Sequence, residues 1–163
     1  MRYSWFGPGL LSSAEPYVGG LPHGTARQWD TNGRLIGTYR IVRGTGIDLW
    51  RQPLDDGRAY LSEVLYLQNG RRHGYEWWLE EDQSGVFIER HWHAGQLHGI
   101  EREWNRKGRL RRGYPKYHVR GNPVTKGQYL KAFAANPTLP PFRPQDNNPA
   151  RTFPAEIARH LAR

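Results

Sequence analysis

Three histidines stand in closely similar settings: "GLPHG" at Gly20 to Gly24, "GRRHG" at Gly70 to Gly74 and "GQLHG" at Gly95 to Gly99. An imidazole in a fixed place can ligate a metal, act as a general base or hold backbone in place. A denser cluster lies in "ERHWHAGQLHG", which carries Glu89, His91, His93 and His98. On one strand face His91 and His93 would stand about 7 Å apart, a spacing that some metal sites use. A metal-dependent hydrolase built on His91, His93 and His98 is therefore one reading, and a polar strand face is the other. The repeat histidines are constrained more tightly. Equivalent residues of stacked hairpins lie two strands apart, about 9–10 Å, whereas ligands of one zinc ion sit about 2.1 Å from it. His23, His73 and His98 are thus expected to be scaffold, each hydrogen-bonding at its turn.

Other chemistries find little support. The chain has no cysteine, which removes thiol nucleophiles and Cys-based metal sites. Ser62 and Ser84 sit on no nucleophile elbow, and neither a phosphate-binding loop nor a dinucleotide fingerprint occurs. The acidic runs Asp55-Asp56 and Glu80-Glu81-Asp82 precede turn glycines, Gly57 and Gly85, where solvation explains them. The expectation is a non-catalytic protein without cofactor or bound metal.

The elements that position the histidines form a repeat. After His23-Gly24, His73-Gly74 and His98-Gly99 come Trp29, Trp78 and Trp104; Thr45-Gly46 stands in for a further pair, followed by Trp50. A second glycine closes the first half of each unit: Gly33, Gly57, Gly85 and Gly108. The unit is about 25 residues long, and four copies cover residues 20–121. Two short runs between glycine-bearing turns make a β-hairpin, and Asn-Gly pairs such as that ending at Gly70 accept the positive φ angles of tight turns. Period-2 alternation places Ile41, Tyr39 and Leu35 on one face, then Leu67, Leu65 and Leu61. In the third unit Trp92, Arg90, Ile88 and Val86 share a face, opposite Glu89, His91 and His93. Pro115 interrupts the fourth unit and implies an edge there.

The recurring G-x-x-H-G, the aromatic after it and the "NGRL" and "KGRL" turns resemble MORN-type repeats, most closely the bacterial variant form. The resemblance covers about two-thirds of the chain, but the Y-x-G core of the standard unit is not kept. "WDTNGRL" is also similar to YD-repeat shells, though in a single unit, and the His-Gly pairs do not belong to that repeat. The MORN resemblance implies a non-catalytic scaffold for protein–protein contacts, with lipid binding proposed for some members. Bacterial proteins of the variant group are often labelled antitoxin components, which implies a module that binds and restrains or positions a partner enzyme or effector.

Net charge is +9, with a pI of about 10.2. Between Trp104 and Gln145 there is no acidic residue, while cations interleave with Tyr114, Tyr117, Tyr129 and Phe133. Such a stretch suits docking on an acidic protein surface. It equally suits phosphate contact and base stacking, so residues 106–131 make nucleic-acid binding the alternative function. Candidate partner-binding residues are Arg40, Tyr66, His91 and His93, plus Arg106, Lys107, Arg109, Arg111, Arg112 and Lys116. Repeat-structural residues are those named above together with Gly70 and Gly95.

The expected fold is all-β: an elongated antiparallel meander of about four hairpin repeats with a C-terminal helix, an extended arm and a short second helix. Residues 1–19 form a lead-in and 20–121 the repeats. Residues 122–136 form a capping helix opened by Thr125 and Gln128, with Tyr129, Leu130 and Phe133 on its apolar side. Residues 137–163 are a Pro- and Asn-rich arm ending in a short amphipathic helix around Ile157 and Leu161. No apolar run reaches the length of a signal peptide or a membrane span, so a cytoplasmic protein is expected.

Overall fold

The computed structural model describes residues 1–161. An N-terminal pair, β1 (Arg2–Gly7) and β2 (Leu10–Glu15), precedes a small ribbon of β3 (Tyr17–Val18) and β4 (Leu21–Pro22). The longer strands follow: β5 (Gly24–Trp29), β6 (Leu35–Val42), β7 (Thr45–Pro53), β8 (Ala59–Gln68), β9 (Arg71–Leu79) and β10 (Val86–His93). Then come β11 (Gln96–Leu97), β12 (Gly99–Glu103), β13 (Lys116–Val119) and β14 (Asn122–Val124). All but β3 and β4 join one sheet, ordered β1-β2-β5-β6-β7-β8-β9-β10-β12-β13-β14, with β11 on β10. Pairing is antiparallel between successive strands, so the fold is the expected all-β meander. Within the expected lead-in, β1 and β2 extend this sheet, while β3 belongs to the separate ribbon. Beyond Pro115 the sheet continues through β13, and the edge falls on β14, which carries Pro123.

Each unit turns on a residue pair with positive φ at both positions, the geometry that matches strand twist in a two-residue hairpin. The pairs are Gly19-Gly20, Arg43-Gly44, Asn69-Gly70, Ala94-Gly95 and Arg120-Gly121. The tips stack: Gly44 N donates to Pro22 O at 2.7 Å, and Gly70 N to Gly44 O at 2.9 Å. A Cβ on Gly44 would lie 2.4 Å from Gly70 N, so only glycine permits that approach.

The repeat histidines hold these tips. His23 Nδ1 accepts the N–H of Arg43 at 3.0 Å, and His98 Nδ1 that of Arg120 at 3.0 Å. His73 Nδ1 faces Ala94 N at 3.5 Å. In the unit without a histidine, Thr45 Oγ1 accepts from Asn69 N at 3.1 Å. Each acceptor fixes the first turn residue of the following hairpin, which is the scaffold role that the spacing argument requires.

The main core runs from Tyr39 and Ile41 through Leu49, Leu61, Val64 and Trp77 to Val86 and Trp104. Alternation is broken inside β8, where Trp50 pairs with Glu63 but Arg51 with Leu61. That bulge sends Leu61 into the core beside Val64, while Leu65 lines a cavity with Asp48, so these leucines do not share one face. Strands β6 and β7 pair only at their hairpin end. Beyond it Gln28 fills the gap: its Nε2 donates to Leu49 O at 3.3 Å and its Oε1 accepts from Arg51 N at 3.0 Å.

After β14 come α1 (Lys126–Ala135), a 3-10 turn at Pro144–Asn147 and α2 (Ala155–Ala158). Thr125 caps α1 and forms the reciprocal capping box with Gln128. The helix lies against β13, where Tyr129 joins Ile100 and Leu139 in a second core with Ala132 packed nearby. Leu130 and Phe133, expected on the buried side, are 42% and 37% exposed. The segment after α1 folds back across the sheet. Phe153 meets the Trp77 ring edge-on at 5.4 Å, and Ile157 is fully buried, a contribution of about 1.5–3 kcal/mol.

Candidate interaction surface

Trp77 and Trp78 are neighbours in β9 and therefore point to opposite sides of the sheet. Around Trp77 the surface is sealed by the chain itself. Glu89, 3% exposed, lies at the centre of the seal. It accepts from Trp77 Nε1 at 2.8 Å, Arg102 Nη1 at 2.7 Å and Arg151 Nε at 2.7 Å. Asn147 accepts from Arg102 Nε at 3.1 Å through its side chain and from Trp104 Nε1 at 2.7 Å through its carbonyl. Burial pushes the Glu89 carboxyl up, but the hydrogen bonds and charges of Arg151 and Arg102 outweigh it and hold it below the usual range.

The Trp78 side differs. Trp50, Tyr60, Trp78, Phe87 and Trp92 are each partly exposed there. Two of them are pinned by one buried carboxylate: Glu76 accepts from Trp92 Nε1 at 2.6 Å and Trp78 Nε1 at 3.2 Å. Arg72 stacks on Trp92 at 4.9 Å while pairing with Glu76 at 3.5 Å. Arg90 bridges onward to Glu101 at 3.1 Å, which also meets His118 Nε2 at 3.2 Å. Glu63 lies beside this network; burial, then the Glu76 charge, pushes its carboxyl up to about 7. Trp78 and Trp92 are thus held in position before anything binds. Trp50, Tyr60, Trp78 and Phe87 line one groove of about 230 Å³. Phe87 is shared with a larger one of about 790 Å³, which runs over Ile88 and Trp104 to Arg106, Lys107, Arg109 and Arg111.

The sequence-derived candidates divide between the two sides. Arg40 is exposed beside a groove that contains Glu156 and His160 of the folded-back segment. Tyr66 donates to Glu156 Oε1 at 3.3 Å, so its hydroxyl is engaged within the chain. His91 Nδ1 lies 2.7 Å from His98 O, and burial lowers its pKa. His93 packs between His73 and His98, with ring centroids 4.9 and 5.4 Å away. Glu89, His91 and His93 were expected on a polar face, yet the fold turns that face toward the C-terminal segment. Among the described residues no three His, Asp or Glu side chains converge as a metal-ligand set.

Arg106, Lys107 and Arg109 sit at the β12–β13 connection on the groove rim. Arg111 pairs with Glu103 at 2.6 Å, Arg112 is exposed, and Lys116 lies over the Tyr114 ring at 4.4 Å. Sequence reasoning passed over Trp92, Glu63 and Glu76 as functional residues. For Glu76 the signal was an acid placed among aromatics in "YEWW", alternating with the core residue Trp77.

The fold and surface define an antiparallel meander with one face closed by its own C-terminus and one aromatic face accessible. No family model, curated protein or solved structure matches the chain. Among the described residues no helix is long and apolar enough to cross a membrane.

Proposed function

We propose that this chain is a non-catalytic protein-interaction module that binds and restrains or positions a partner through the face bearing Trp50, Trp78, Phe87 and Trp92. The observation behind the reading is the contrast between Trp77, covered by the chain's own Phe153, and Trp78, left partly exposed yet held by Glu76. Aromatic and arginine side chains dominate interface energetics, and rings fixed in advance lose little entropy on binding. The MORN-type resemblance supports the same reading and suggests an antitoxin-like or scaffold role. An acidic or mixed-charge partner surface suits the cations on the groove rim.

The test is affinity capture from the host lysate, with and without nuclease and at low and high salt. A discrete protein retained through nuclease and salt, and lost on Trp78→Ala with Phe87→Ala, is the expected result. Captured nucleic acid that leaves with salt and with charge reversal at Arg109 and Arg112 would replace this reading with nucleic-acid binding.

A further inference from the structure

A separate cavity of about 230 Å³ lies between the β3–β4 ribbon and the sheet. Ile41, Leu65 and Leu67 supply apolar lining, and two carboxylates, Glu15 and Asp48, face it. Their electrostatic situations differ. Glu15 pairs with Arg2 at 2.8 Å and accepts from the Tyr17 hydroxyl at 3.4 Å. The other lining arginine, Arg72, is turned to Glu76 and stacked on Trp92. His23 spends its Nδ1 on the Arg43 N–H.

Asp48 is left without an ion pair among the described residues. Its Oδ1 is wholly buried and has no hydrogen-bond partner. Native structures rarely leave a buried acceptor unsatisfied, and each such atom asks for an explanation. Burial pushes this carboxyl up to about 6, although Tyr39 and Trp50 hydrogen-bond it and the Arg2 charge also favours its ionised form. The cavity therefore holds a carboxylate that has no ion pair among the described residues and one unsatisfied oxygen, beside an apolar lining.

We propose that this cavity binds a primary ammonium or guanidinium group on a short alkyl chain, the cation at Asp48 and the methylenes against Ile41, Leu65 and Leu67. This assignment stands apart from the interaction reading above, since it concerns other residues and a ligand of a few atoms. A free small amine and a lysine or arginine side chain of a partner share this chemistry.

The experiment is titration of the isotope-labelled full chain, followed by amide chemical shifts at pH 7.5. The probes are n-butylammonium, n-butylguanidinium and the neutral 1-butanol. The capped amino acids N-acetyl-lysine methylamide and N-acetyl-arginine methylamide are titrated alongside. At least one alkyl cation is expected to shift resonances around Asp48, Tyr39 and Leu67 saturably, with 1-butanol at least tenfold weaker. Asp48→Asn, which keeps the shape and removes the buried charge, should lower cation affinity at least tenfold. Leu67→Phe, which fills the slot, should do the same and serves if Asp48→Asn does not fold. Binding of capped residues as well points to a side chain as ligand; binding of the free cations alone points to a small amine. Equal binding of 1-butanol, no loss with either variant, or no saturable shift with any cation overturns the assignment. Partner capture could still succeed in that case, so the two readings fail separately.

Discussion

Glu89 and Arg151 meet at 2.7 Å although 62 residues of chain separate them, and this contact ties the C-terminal segment to the sheet. Arg102 occupies the other carboxylate oxygen, so the three charges form one buried unit. Glu89→Ala strands Arg102, itself 3% exposed, and should destabilise by about 3–5 kcal/mol. Arg151→Ala leaves Glu89 its bonds from Arg102 and Trp77 and should cost about 1–3 kcal/mol. Urea unfolding of both single variants and the double variant checks this. The double should fall short of the sum, because each single change already breaks the shared pair.

Thr45 and the repeat histidines should be interchangeable in part, since both act through one acceptor atom. Thr45→Ala removes the acceptor for Asn69 N and should lose about 0.5–1.5 kcal/mol. His23→Ala should lose a similar amount, and His23→Thr less. Equal losses for His23→Thr and His23→Ala in urea midpoints would show that the hydroxyl cannot reach Arg43 N.

Gly44 and Gly33 have nearly the same φ, +75° and +76°, but different surroundings. Gly33→Ala meets nothing within 4 Å and should cost only the left-handed backbone strain, about 1 kcal/mol. Gly44→Ala drives a methyl into Gly70 N and disrupts the hydrogen bond between successive tips, for a total of about 2–4 kcal/mol. The difference between the two melting curves isolates the close approach.

Glu63 provides the pH signature. Its carboxyl is raised to about 7 in the folded chain, from an ordinary 4.5. A raised folded value means that its contribution is fully present below the unfolded pKa and is lost as pH rises through about 7. Glu63→Gln should therefore be more stable than the parent at pH 8, by about 1 kcal/mol after solvent screening, or about 2–4 °C in Tm. The advantage should shrink to a small fraction of this at pH 5, just above the ordinary value of 4.5. Paired thermal scans at the two pH values remove contributions common to both proteins, including those of the buried histidines. An unchanged difference across the range would contradict the assignment.

Repetition made the meander legible. A period near 25 residues, with a turn glycine at each end of every hairpin, leaves little freedom in pairing order, because each strand finds its partner locally. The capping box at Thr125 was equally local, as was the equivalence of Thr45 with the histidines. Reading the two faces of the sheet needed more. Ser62 lies in a bulge that flips Leu61 relative to Leu65, and no alternation pattern announces one inserted residue. The alternation placed Glu89, His91 and His93 together correctly, but it had no means to show that residues 147–157 return to cover that side.

What the sequence determined by itself was therefore the set of short-range features: strands, tight turns and caps, each set by residues within a few positions of one another. Tertiary structure alone decided which aromatic face stays accessible and which carboxylates lack a partner. Those outcomes depend on contacts such as Glu89 with Arg151 and Phe153 with Trp77, made across the chain after the sheet exists. Burial and charge compensation are properties of the assembled surface: Glu15 has Arg2 and the Tyr17 hydroxyl beside it, whereas one oxygen of Asp48 has no partner.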